Sequence, residues 1–107
     1  MDIDRREHPR VVKRFEGGWR GASGRGLCTV TDLSLGGCFL ETRAAPAKGE
    51  GTAVALQFGA HEISLQGDVV YVEPGMGFGV RFNGLTNAEQ SRLREIVEAV
   101  LSTAATH

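Results

Sequence analysis

The chain has 107 residues, the size of one domain that can bury its own core without disulfides or metal. Apolar residues make up 41% and charged residues 23%, with a formal net charge of −1; this balance excludes a disordered chain and a broadly basic nucleic-acid-binding surface. No apolar run approaches the roughly 20 residues of a membrane-spanning helix, and the charged start Met1-Asp2-Ile3-Asp4-Arg5-Arg6 has no apolar stretch behind it, so no secretory leader is expected.

Charge is unevenly spread. Residues 1–25 hold seven basic and four acidic side chains, a net of +3, which leaves −4 on the other 82 residues. A basic front on a neutral domain points toward an anionic ligand. Three parts are expected: a flexible arm at 1–10, a domain at 11–101 and a frayed tail at 102–107. Short runs rich in β-branched and aromatic residues, separated by many of the fifteen glycines, predict an all-β sandwich or barrel. Strands are expected at Val11–Trp19, Leu27–Thr31, Cys38–Thr42, Thr52–Phe58, Glu62–Val72 and Phe78–Phe82.

Val54, Leu56 and Phe58 alternate onto one face. The same pattern runs through Ile63 and Leu65 and resumes at Val70 and Val72, with Gly67 marking a bulge or bend. Gly59-Ala60-His61 and Glu73-Pro74-Gly75 read as turns, because proline presets φ and glycine accepts positive φ. The segment Arg43–Gly51 reads as a longer connecting loop. After Leu85 the period changes. Thr86 and Glu89 have capping-box spacing, and Leu93, Ile96, Val97, Val100 and Leu101 form the apolar stripe of an amphipathic helix. Cys28 and Cys38 sit in apolar runs and read as small buried hydrophobes of a reduced, cytoplasmic protein.

Two constellations are not explained by folding. One is Arg5-Arg6-Glu7-His8-Pro9-Arg10, ahead of the first strand; the other is Asp32-Leu33-Ser34-Leu35-Gly36-Gly37, between the second and third. Taken singly, the first reads as a solvated tail and the second as an Asx- or Ser-stabilised turn. Together and in this order, Arg6-x-x-x-Arg10 and Asp32-x-Ser34-x-x-Gly37 resemble the RxxxR and (D/N)xSxxG motifs of the PilZ domain family. Gly77-Phe78-Gly79-Val80-Arg81-Phe82 resembles the strand before that family's C-terminal helix.

The resemblance covers about the whole chain. It implies a mainly β fold, a six-stranded antiparallel barrel with a C-terminal α-helix. It also implies a bacterial receptor for cyclic di-GMP that signals to an unidentified protein partner in motility, biofilm or polysaccharide control. By the resemblance, Arg6 and Arg10 hold phosphate and guanine groups, while Asp32, Ser34, Gly36 and Gly37 line the other side of a guanine. Arg5, directly ahead of the motif, goes with an intercalated dimer of ligand. The chemistry agrees: guanidinium donates in parallel to phosphate or to guanine O6/N7, and a carboxylate complements the guanine N1–H and N2–H₂ donors. Serine donates and accepts, and glycine admits backbone close to a ring.

Other readings are weaker. A PilZ-like adaptor that contacts proteins without nucleotide is the alternative; degenerate motifs would favour it, and both motifs are intact. A single-stranded nucleic-acid barrel is disfavoured by seven aromatics and the net charge. Phe15 and Trp19, between Arg14 and Arg20, read as core or rim packing before base stacking. His8, His61 and His107 have no metal-ligand spacing, and no acid/base pair or nucleophile set is evident, so neither an enzyme nor a cofactor is expected. Gly77 and Gly79 read as strand-packing glycines.

Overall fold

The computed structural model describes residues 14–105. The expected arm at 1–10, and residues 11–13 of the expected first strand, lie outside the described residues. The elements in chain order are β1 (Phe15–Gly21), β2 (Gly24–Thr31), β3 (Gly37–Glu41), β4 (Gly51–Phe58), β5 (His61–Glu73), β6 (Gly77–Phe82) and α1 (Asn87–Ala105). Antiparallel pairing closes the described strands into a barrel in the order β1-β2-β3-β6-β5-β4. The expected mainly β fold, a six-stranded antiparallel barrel with a C-terminal helix, is what the chain adopts.

Alternation builds the interior. Trp19, Val30, Leu40, Val54, Leu56, Leu65, Phe78 and Val80 face inward and are buried. Trp19 meets Phe78 edge to face with ring centroids 5.3 Å apart, so its indole belongs to the core. Phe15 and Phe58 pair the same way at 5.5 Å near the barrel's rim.

Several boundaries move, each for a backbone reason. β2 begins at Gly24, three residues before the expected Leu27, because Gly24-Arg25-Gly26 continues the ladder with β1 despite having no apolar side chain. β1 starts at Phe15 and extends to Gly21 for the same reason, where Ala22-Ser23 turns the hairpin. The expected resumption of alternation at Val70 is also corrected. A register shift between Val69 and Tyr71 makes Val70 the extra residue, and Val69, 1% exposed, faces the core instead. Gly67 is a different feature, a close approach: a Cβ there would stand 2.7 Å from Arg81 O.

The turns follow their chemistry. Gly59 has φ +61° in the two-residue link between Phe58 and His61, and Gly75 has φ +81° beside Pro74 in a turn closed by Met76 N–H donating to Glu73 O at 2.9 Å. At the start of α1, Thr86 and Glu89 make the reciprocal capping box, with both bonds at 3.0 Å. Leu93, Ile96, Val97 and Val100 then join the barrel core. Leu101, expected in this stripe, is 38% exposed at its margin. The helix continues to Ala105, past the Ser102 at which fraying was expected. No described helix is long and apolar enough to cross a membrane.

Candidate functional site

Of the predicted site residues, Arg5, Arg6 and Arg10 lie outside the described residues, whereas Asp32, Ser34 and Gly36 lie in the link from β2 to β3 and Gly37 opens β3. Asp32 directly follows β2 with φ +53°, and is the only non-glycine residue with positive φ among those described. Aspartate and asparagine are the residues that best tolerate this left-handed region. The conformation thus gives a backbone reason for a (D/N) position, separate from any ligand.

The rest of the loop is held tightly. Leu33 is fully buried. The Ser34 hydroxyl accepts from Gly36 N–H at 3.1 Å and points at Gly37 O at 3.4 Å, while Ser34 N–H donates to Gly37 O at 2.9 Å. Gly36 O accepts from Phe82 N–H at 2.9 Å. A Cβ on Gly37 would stand 2.1 Å from Val80 O, so the last motif glycine permits contact between β3 and β6. The serine-stabilised turn is therefore real, and Ser34 and Gly37 have structural duties in it.

Asp32 alone of the four lines a hollow on the outside of the barrel, about 430 Å³, together with Arg14, Thr31, Phe39, Glu41, Tyr71 and Glu73. Its wall is aromatic: Phe39 and Tyr71 stack with centroids 5.9 Å apart and planes 25° from parallel. Phe39 pairs with Gly79, and Gly79 pairs with Tyr71, so the rings flank a residue with no side chain. The bulge at Val70 sets this up. Without it Val70 would oppose Gly79, and Tyr71 would turn inward. Tyr71 remains 46% exposed.

Arg14 grips Glu41 at the mouth of the hollow, Nε to Oε1 at 3.0 Å and a second nitrogen to Oε2 at 2.9 Å. These bonds hold the Glu41 carboxyl below the usual carboxylate range. With Asp32, Glu41 and Glu73 against Arg14, the described lining carries more negative than positive charge. It suits a flat ring with a donor-rich edge. A phosphate would need cations from elsewhere, and Arg10 lies four residues ahead of Arg14.

Phe39, Tyr71, Arg14, Glu41 and Glu73 were not singled out from sequence. The available signal was an outward-facing aromatic on the same rung as a strand glycine. A larger hollow of about 530 Å³, lined in part by Glu16, Gly18, Leu27 and Gln57, contains no residue of the Asp32–Gly37 motif. The thiols are not reactive candidates: burial pushes Cys28 up to about 11 and Cys38 further. Among the described residues, no group of His, Cys, Asp and Glu could hold a metal ion.

A family model described as PilZ domain matches residues 4–99. No curated relative matches the chain. Among solved structures, the PilZ domain of YcgR from Escherichia coli, determined with c-di-GMP, is similar with a TM-score of 0.77 at 16% identity, over 94% of this chain and 95% of that one. The K. pneumonia MrkH–c-di-GMP complex gives 0.75 at 19% identity, over 97% of this chain and 55% of that one. The PilZ domain of CeSA from a cellulose-synthesizing bacterium gives 0.71 at 14% identity, over 87% and 98%. At these identities the likeness is one of fold.

Proposed function

The chain belongs to the PilZ domain family, and from that premise we propose that it is a non-enzymatic receptor for cyclic di-GMP that passes the ligand's presence to a partner protein. The observation carrying this reading is the hollow beside Asp32, where a left-handed carboxylate-bearing residue meets a stacked aromatic wall. A guanine stacks on the exposed Tyr71, which the buried Phe39 backs, and donates its N1–H and N2–H₂ edge to the carboxylates. The phosphates fall to Arg6 and Arg10, whose guanidinium groups supply the charge that the described lining lacks. Ser34, Gly36 and Gly37 set the loop that aims Asp32, and Arg5 clamps a second, intercalated ligand.

Binding closes the segment 1–10 over the barrel, because a bound dianion relieves the mutual repulsion of its arginines. That closure is the change a partner reads. Isothermal titration with cyclic di-GMP and with GTP tests the receptor: saturable binding of the first, at least tenfold tighter than the second, is expected. No binding of either would leave the protein-contact adaptor in its place.

A further inference from the structure

We propose that the outer edge of β2 over Gly24–Cys28 is a docking edge for an extended acidic–apolar segment of a partner protein, taken up as an added strand. β2 pairs with β1 from Gly24 to Val30, but with β3 only at Thr29, Val30 and Thr31. Among the described residues, no backbone hydrogen bond joins Gly24–Cys28 to any element except β1. Strand edges are templates for pairing and are ordinarily blunted by lysine, proline or a covering element. This one carries neither residue, and Leu27 on it is 89% exposed.

The edge is held extended with no described strand on its open side. At the hairpin tip, Ser23 donates to Glu50 Oε2 through its N–H at 2.9 Å and its hydroxyl at 2.8 Å. At the base, Thr29 is in register with Glu41 of β3. An incoming strand therefore meets a preformed partner, which lowers the ordering cost of β-augmentation.

Charge selects the occupant. Arg20 and Arg25 are direct cross-strand partners on the outer surface, an arrangement of like charges that opposes pairing. Neither guanidinium has a hydrogen bond or ion pair among the described residues. Beside them lies a hollow of about 520 Å³ floored by Gly18, Ala53 and Ala55 and walled by Leu27. Toward the strand base Glu16 is in register with Thr29 and repels acid. The fitting segment thus places a carboxylate near Arg20 and Arg25 and, two residues along on the same face, an apolar side chain beside Leu27. A second copy fits poorly, since two-fold pairing about Gly26 would gather four arginines.

The test uses the full chain without nucleotide, so its outcome is separate from that of the receptor reading. The probe is an acetylated, amidated peptide Thr-Glu-Thr-Val-Thr-Thr, with a control carrying Lys for Glu. Expected are at least tenfold slower amide exchange within 24–28, at least tenfold weaker binding of the Lys peptide, and reversal of that preference in Arg20→Glu/Arg25→Glu. Leu27→Asp, at an exposed site, should weaken the Glu peptide at least tenfold while the remaining amide spectrum stays unchanged. Equal binding of both peptides, or no protection within 24–28, would overturn the proposal. So would a concentration-dependent dimer that Leu27→Asp abolishes, which would assign the edge to a second copy.

Discussion

The ring of Tyr71 covers Gly79 on the outside of the barrel, and a Cβ at Gly79 would stand 2.2 Å from the ring carbon Cε1. The glycine is what lets the ring settle against Phe39. Stacking of a base on an aromatic ring contributes about 1–3 kcal/mol. Tyr71→Ala should therefore weaken cyclic di-GMP binding by roughly 5- to 150-fold, by the tenfold-per-1.4 kcal/mol rule, and Tyr71→Phe should nearly restore it. Gly79→Ala should approach the effect of Tyr71→Ala by displacing the ring. Titration calorimetry on the three variants decides this; unchanged affinity in Tyr71→Ala would remove guanine from the hollow.

The core makes its own prediction. Phe78 is fully buried and meets Trp19 edge to face. Phe78→Ala should destabilise the barrel by about 3–5 kcal/mol, read from urea denaturation followed by tryptophan fluorescence. A loss under about 1 kcal/mol would mean that the site collapses or that the pair is not central.

Much of this architecture was legible in the sequence because its signals are local. The alternation of Val54 and Leu56, the Pro74-Gly75 turn and the Thr86–Glu89 box each need only a few neighbouring residues. Gly24-Arg25-Gly26 was missed as strand because its pairing comes from β1, a tertiary neighbour, and not from its own composition. The site was half legible for a similar reason. Asp32 and Ser34 stand out as a contiguous motif, whereas Phe39 and Tyr71 are 32 residues apart. The alternation at Val70 and Val72 already implied an outward Tyr71, but the ring meets Phe39 only through the pairing of both residues with Gly79, which is tertiary.

Acid should dissolve the Arg14–Glu41 pair first at Glu41. Its folded pKa lies below the usual carboxylate value because Arg14 donates to it. The pair's contribution is thus complete above the unfolded carboxylate pKa and is lost as pH falls through the depressed folded value. Both groups are solvated, so the stability change is small and the titration itself is the better measurement. Carboxyl-detected NMR should show Glu41 titrating below the usual range and moving upward in Arg14→Gln. A midpoint that ignores Arg14→Gln would remove the ion pair.

Stoichiometry tests the arm. If Arg5 clamps a second ligand, Arg5→Leu should change two cyclic di-GMP per chain to one, with the remaining site intact. Arg6→Ala should weaken binding roughly 10- to 100-fold, as expected for charge-assisted hydrogen bonds of about 1.5–3 kcal/mol. Titration calorimetry reads both numbers from one experiment; two ligands bound to Arg5→Leu would dismiss the clamp.

Two duties are proposed for Asp32, shaping its turn and accepting from the nucleotide, and substitution can separate them. Its φ of +53° suits glycine and asparagine better than alanine, while only its carboxylate can accept from both guanine donors. Asp32→Gly should therefore keep the loop, and Asp32→Ala should be less stable than Asp32→Gly by about 1 kcal/mol. Both should lose binding to a similar degree, roughly 10- to 100-fold if charge-assisted bonds of about 1.5–3 kcal/mol are removed. Asp32→Asn keeps the conformation and one acceptor oxygen, so its affinity should fall between. If both groups grip one ligand, the loss should also be non-additive with Arg6→Ala in a double-mutant cycle. Urea denaturation and titration calorimetry on the same four proteins give the two scales independently. If affinity follows stability across the series, with Asp32→Gly binding as tightly as the parent, Asp32 shapes its turn and does not touch the nucleotide.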